Sequence, residues 1–200
     1  MKSQQTSSDR REFVKKAGVG SLALASIPFL AGAAEADDQR RGLNYRWMSV
    51  SRNPGETEQI VMNGDGRVNR RQVTGGGNFI HVELGGPPPL PLLGTGTWKA
   101  RKLVSLDIIG TFGTFAAGTV VMDIHLLPVD GGRIPAQVTM NCNVPPAGLF
   151  TGLAEGYFLD VGGQTFSPWV LPVEGGGPPP AVAVGATIFN LIGGHHHEDD

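Results

Sequence analysis

The clearest pattern in the chain is a strict alternation from Ala136 to Val144. Ala136, Val138, Met140, Cys142 and Val144 alternate there with Gln137, Thr139, Asn141 and Asn143. Successive side chains of a strand point to opposite faces, so a period of two predicts an antiparallel strand buried on one side. The run before it, Thr119 to Leu127, puts Val120, Met122, Ile124 and Leu126 on one face and Thr119, Asp123 and His125 on the other. Asp130-Gly131-Gly132 predicts a short turn between the two runs, which makes them a hairpin. Upstream, Trp98 to Ile109 sets Trp98, Ala100, Val104, Leu106 and Ile108 against Lys99, Arg101, Ser105 and Asp107. Lys102 breaks that run by falling on the apolar parity.

Shorter runs flank this centre. Gln59 to Asn63 is apolar in its middle and is followed by a turn signal at Asp65-Gly66. Gly76 to Leu84 alternates, with Ile80, Val82 and Leu84 on one face and Phe79, His81 and Glu83 on the other. Gly85-Gly86-Pro87-Pro88-Pro89-Leu90-Pro91 ends any strand there, because proline donates nothing to a ladder. Glu155 to Val161, Gln164 to Trp169 and Ala181 to Ile192 read as further strands, and Gly162-Gly163 suits a two-residue hairpin loop. No stretch after the N-terminal region shows capped helical periodicity. The pattern therefore predicts an all-β fold: a single antiparallel domain of about eight strands joined by Gly and Pro turns. A closed barrel is favoured over a two-sheet sandwich, since long neighbouring strands suit closure and closure removes exposed edges.

The N-terminus has a different character. Arg10-Arg11-Glu12-Phe13-Val14-Lys15-Lys16 precedes an uncharged stretch from Ala17 to Leu30, and small residues follow up to Ala36. A basic region, an apolar region and an A-x-A site in that order predict a helical secretory signal peptide. Arg10, Arg11, Phe13 and Lys15 resemble the twin-arginine (Tat) export motif, with Val14 where Leu is commoner. Cleavage is expected after Ala36, with Ala34 and Ala36 as the small residues of the site. The apolar stretch contains two glycines, two serines and Pro28, so it predicts no permanent membrane span. The expected organisation is a signal peptide over 1–36, a polar N-terminal arm over 37–57, the β domain over 58–192 and a flexible His/acidic tail over 193–200. Within the arm, Tyr45, Trp47 and Met48 are the residues able to pin it to the core. The resemblance to Tat cargo implies the Tat translocase and signal peptidase as partners. It places the mature protein in the periplasm, the cell envelope or outside the cell.

Composition narrows the function classes. The 200 residues include 30 Gly and 15 Pro, yet these punctuate apolar runs and do not form one tract, so a wholly disordered chain is excluded. Formal net charge is −2. Residues 1–36 hold five of the 16 basic and three of the 18 acidic side chains, leaving 11 against 15 in the mature part. That balance removes the usual electrostatic argument for a nucleic-acid partner. One cysteine, Cys142, cannot form an intramolecular disulfide, and its place on the apolar parity reads as core.

Gly94-Thr95-Gly96-Thr97-Trp98-Lys99-Ala100, Gly118-Thr119-Val120, Cys142-Asn143-Val144-Pro145-Pro146-Ala147-Gly148-Leu149, Thr151-Gly152 and Glu155-Gly156 occur in this order. Over roughly residues 74–192 the chain resembles a largely uncharacterised group of small exported bacterial and archaeal β-domain proteins. The resemblance implies a stand-alone domain and supplies no catalytic residues.

Candidate chemistry is sparse. His81, Asp123 and His125 form a polar set that becomes a metal or general-base pair only if both imidazoles enter a barrel lumen. On an antiparallel sheet the polar parity ordinarily faces solvent. His195, His196 and His197 of the tail are metal ligands by type, but they sit in a tract without fixed geometry. Gly75-Gly76-Gly77 and Gly110-Thr111-Phe112-Gly113-Thr114 are not followed by a helix, so neither predicts a phosphate cradle. No cofactor is specified. The leading expectation is a non-catalytic exported β domain that binds a small apolar ligand or a partner, or forms a homo-oligomer. One alternative is a small-barrel enzyme of the isomerase or cyclase type, with an apolar cavity lined by His125, Asp123 or Glu155. The other is metal handling through the tail.

Overall fold

A computed structural model of the chain describes residues 42–144, 154–171 and 182–192. The strands are β1 (Leu43–Arg52), β2 (Glu58–Asn69), β3 (Gln72–Glu83), β4 (Leu92–Phe112), β5 (Phe115–Pro128) and β6 (Ile134–Cys142). They continue with β7 (Gly156–Val161), β8 (Gln164–Pro168), β9 (Val170–Leu171), β10 (Val182–Ala183) and β11 (Gly185–Leu191), and the described residues contain no helix. Nine strands form one antiparallel sheet in the order β11-β1-β2-β3-β4-β5-β6-β7-β8, while β9 and β10 pair separately. β8 returns to β1 through Ser51↔Pro168 and Arg52↔Ser167, so β1 to β8 form a closed ring of pairings. β11 occupies the remaining edge of β1, from Leu43↔Leu191 to Ser49↔Gly185, and reaches β5 at Phe189↔Ala116.

Several elements differ from the pattern-based reading. The stretch read as a polar arm contains β1, which pairs with β2, β8 and β11. Its inward residues Leu43, Tyr45, Trp47, Ser49 and Ser51 are all buried, whereas Met48 faces out at 61% exposure. The arginines that gave the segment its polar look alternate with this apolar face. The turn expected at Asp65-Gly66 does not form. β2 continues to Asn69, pairing Asp65 with Gly76 and Gly66 with Gly75, and the chain reverses at Arg70-Arg71.

Lys102 marks a β-bulge. The β4–β5 register shifts between Ala100 and Lys102, again between Leu103 and Ser105, and again between Ile108 and Gly110. Each extra residue resets the parity. Leu103 therefore packs against the core while Val104, expected inside, is 49% exposed.

The inside of the ring is filled by large side chains. Trp47, Trp98, Tyr45, Tyr157, Phe166 and Phe189 are essentially inaccessible, together with Met62, Met122, Met140 and Leu159. The Trp47 ring lies 4.6 Å from that of Tyr157 and 5.7 Å from that of Trp98. Three buried aromatic tips find main-chain acceptors, as a dry interior favours. Trp98 Nε1 donates to Asn63 O at 2.7 Å, Tyr157 OH to Ile60 O at 2.7 Å and Tyr45 OH to Thr74 O at 3.0 Å. Trp47 Nε1 has no partner among the described residues. The aromatics fit because β2 and β3 are bare opposite them. A Cβ at Gly64 would run into the Trp98 indole and the Gly76 carbonyl, and one at Gly75 into the Tyr45 hydroxyl.

Candidate functional site

At one end of the ring the side-chain packing stops short of the turns and leaves a pocket of ≈ 420 Å³. Its floor is the top of the core: Ile60, Phe79, Leu126 and Phe166, each buried. Leu93 and Ile134 line its rim and remain 48% and 41% exposed. The polar lining comes from His81, Asp130 and Gln164. Pockets of roughly 300–1,000 Å³ with apolar walls and a few placed polar groups are the usual form of a small-molecule site.

Register explains how His81 reaches this pocket. β3 pairs with β2 through Met62↔Phe79 and Ile60↔His81, and Met62 and Ile60 face the core. Phe79 and His81 therefore share the inner parity, and Ile80, on the other parity, is 48% exposed. The alternation in the sequence is real, but its apolar-looking face, Ile80 and Val82, is the outer one. A lone strand whose two faces each carry apolar residues leaves that choice to its neighbours.

Glu58 stands diagonally across the ladder from His81, on the same inner parity of β2. The turn before it is held by Asn53, whose Oδ1 accepts the N–H groups of Thr57 at 2.9 Å and Glu58 at 3.0 Å. His81 Nε2 lies 2.9 Å from Glu58 Oε2. About a quarter of each side chain is exposed, at 24% and 25%. The imidazole also meets Phe166 edge-on, with centroids 5.6 Å apart. A carboxylate on one side and an aromatic ring on the other thus fix the orientation of the imidazole.

Asp123 and His125 lie elsewhere. They are on the outer face of β5, opposite Lys102 and Lys99 of β4, and β4 separates them from His81. Asp123 accepts from Gln137 Nε2 at 3.0 Å. His125 is held below its ordinary pKa by partial desolvation first and then by Arg101 and Arg133. Arg101, Lys102, Asp123 and His125 border an open surface groove, and the three residues His81, Asp123 and His125 form no common cluster. Among the described residues no group of three or more His, Cys, Asp or Glu is placed to hold a metal ion. The export residues Arg10, Arg11, Phe13 and Lys15, the cleavage residues Ala34 and Ala36, and His195, His196 and His197 lie outside the described residues.

Glu155, considered from sequence as a cavity-lining group, belongs to a junction of β5, β6, β7 and β11. Its Oε2 accepts from Asn143 N at 2.7 Å and its Oε1 from Thr187 N at 2.9 Å. Asn141, fully buried, accepts from Thr119 Oγ1 at 3.0 Å and donates to Asn143 Oδ1 at 2.8 Å and Ala154 O at 3.2 Å. Cys142 Sγ donates to Thr187 O at 3.1 Å. The junction joins Thr119, Cys142, Asn143 and Glu155. Its chemistry is that of a fastener: the carboxylate and the thiol take the N–H and the carbonyl of Thr187 on β11. Burial raises the Glu155 pKa, opposed by the two amide hydrogen bonds. Burial also pushes the Cys142 thiol up to about 11, which leaves it a poor nucleophile.

Glu58 was not singled out from sequence. Its signal was its parity with Ile60 and Met62, which puts a carboxylate on an inward face at a strand end. No family model, curated protein or solved structure matches the chain.

Proposed function

We propose that this chain is an exported, non-catalytic β module that holds a small, mainly apolar molecule in its end pocket. The observation that carries this reading is the contrast between an interior packed with aromatic side chains and a pocket of ≈ 420 Å³ above it with apolar walls. The ring of β1 to β8 is read as a closed barrel with a filled middle, the arrangement in which small barrels keep ligands at a mouth. Export rests on Arg10, Arg11 and Phe13 ahead of the apolar stretch and on the small residues before Asp37. The Tat translocase and signal peptidase act on that segment, and the mature domain works in the envelope or outside the cell. No helix among the described residues is long and apolar enough to cross a membrane.

The test is native mass spectrometry with elemental analysis on mature protein exported by a Tat-competent host and purified without a metal column. A stoichiometric organic mass, lost when Phe79 is changed to Asp, supports the reading. A bare mass that stays bare after incubation with apolar probes overturns it. A second reading, a small-molecule isomerase or cyclase, draws on the Glu58-held imidazole beside an apolar floor. Turnover of the recovered molecule, abolished in His81→Gln, separates that reading from simple holding.

A further inference from the structure

We infer that the outer wall of the ring carries a second binding site, a basic groove beside the first β4 bulge that takes a small anion with two or more phosphate or sulfate groups. The groove originates in the bulge. In a regular strand Lys102 would share the inner parity of Trp98 and Ala100. The extra residue, Arg101, falls where the register passes from Ala100↔Ile124 to Lys102↔Asp123, and Lys99, Arg101 and Lys102 are all exposed. A bulge re-aims side chains at the cost of ladder pairing. Here it turns two outward cations into three. β5 sets His125 opposite Lys99 and Asp123 opposite Lys102, and Arg133 immediately precedes β6, whose Pro135 lies opposite His125. The groove has a volume of ≈ 470 Å³, with Arg101, Lys102, Asp123, His125 and Pro135 in its walls.

Charge balance says what the groove lacks. None of Lys99, Arg101, Lys102 and Arg133 has an ion pair among the described residues. The carboxylate in the groove, Asp123, accepts from Gln137 Nε2. Gly76 faces Lys99 from β3 and sets Asp65 of β2 one strand further off. Asp130, three residues before Arg133, borders the end pocket. His125 registers the result: partial desolvation, then Arg101 and Arg133, hold its pKa down. Like charges gathered on one face weaken a sheet. The mature part has more acidic than basic side chains, 15 against 11, yet leaves these four cations without a counterion. A concave surface of one sign concentrates opposite charge from solution. Lys99 and Lys102 stand up to about 10 Å apart along the strand, at about 3.3 Å per residue, which is wider than one phosphate or sulfate group. Two or more such groups on one molecule match that spread.

The experiment is calorimetric titration of the mature protein, prepared as above, with orthophosphate, tripolyphosphate and sucrose octasulfate. It is run at pH 7 and physiological ionic strength, where exposed charges more than about 8 Å apart are largely screened. Tripolyphosphate or sucrose octasulfate should bind one to one, about tenfold tighter than orthophosphate. Whichever binds more tightly identifies phosphate or sulfate as the preferred group, and either supports the site. Arg101→Gln with Arg133→Gln should weaken the tighter probe by about tenfold, the combined effect of two exposed ion pairs. Arg67→Gln with Arg71→Gln removes the same charge elsewhere and should change binding by less than about twofold. All four side chains are exposed, so both double variants keep the fold. Nuclear magnetic resonance gives the location: the bound anion should move the His125 imidazole signals and leave those of His81 in place. Equal weakening by the two double variants, a response at His81 in place of His125, or binding of neither polyanion would each overturn the inference.

Discussion

Glu155, just before β7, and Glu58, at the start of β2, hold their partners in different ways. Glu155 gives one oxygen to Asn143 N and the other to Thr187 N, so both are taken by main-chain amides whose positions the fold dictates. Glu58 takes a titratable ring that itself borders a cavity. The first arrangement leaves little for a ligand to displace. The second holds one nitrogen of an imidazole that also lines the pocket. A carboxylate satisfied by main chain is part of the architecture, whereas one satisfied by a side chain at a cavity wall can direct recognition.

Between these regions lies the packed middle, and the largest effects are expected there. Trp98→Ala removes a buried indole and its hydrogen bond to Asn63 O, a change of the kind that costs about 3–5 kcal/mol. Gly64→Ala should be as damaging from the opposite direction, because the new methyl has only the Trp98 indole and a carbonyl to enter. Guanidinium unfolding of the two variants and of the double variant checks this. Gly64→Ala should cost clearly less in a Trp98→Ala background, since the methyl then occupies the space the indole vacated.

Next in size is the fastener. Glu155→Gln leaves one of two buried amides facing an N–H₂ group, and a buried donor without an acceptor costs about 1–3 kcal/mol. Glu58→Gln, the same substitution at a quarter-exposed side-chain pair, should change stability by less than about 1 kcal/mol. Equal costs would break the distinction drawn between the two carboxylates. The pH dependence gives an independent reading. The Glu155 pKa in the folded chain lies above its ordinary 4.5, with burial the leading cause. The folded state therefore binds more protons at this site than the unfolded state as pH rises from 4.5. The Glu155 contribution to stability falls with increasing pH in that window. Relative to Glu155→Gln, the unsubstituted chain should lose stability between pH 4.5 and neutrality.

The strands were legible where one face is apolar throughout and the other mainly polar. β5 and β6 satisfy that condition, so their hairpin follows from periodicity alone. β4 satisfies it only between bulges. Lys102 on the wrong parity was the visible trace of the first, but nothing in Val104-Ser105 distinguishes a bulge from continuous strand. β1 was obscured because Asn44 and Arg46 face out between the buried Leu43, Tyr45 and Trp47, and polar character averaged over the segment hides a period of two. The pocket was less legible still. His81 and Glu58 are 23 positions apart in the chain and meet only because the Asn69–Gln72 turn sets Ile60 opposite His81. The Glu155 junction also draws on four strands, and no local spacing encodes it.

The smallest effect is expected at Cys142. Its thiol pKa is raised from 9.0 to about 11, which leaves about a hundredfold fewer thiolates at mildly alkaline pH. The sulfur is also fully buried and donates to Thr187 O. Disulfide-exchange labelling of the folded chain at pH 8 should therefore be nearly undetectable and limited by opening of the protein. Thr187 is held at its N–H by Glu155 and at its carbonyl by Cys142, so loosening β11 exposes the sulfur and frees the carboxylate in one movement. Glu155→Gln should speed labelling at a denaturant concentration where global stability has been matched to the unsubstituted chain. Glu58→Gln should leave the rate unchanged. Acceleration by both would mean that the end pocket and the fastener open together, and the sheet would then behave as one cooperative unit with no separate working end.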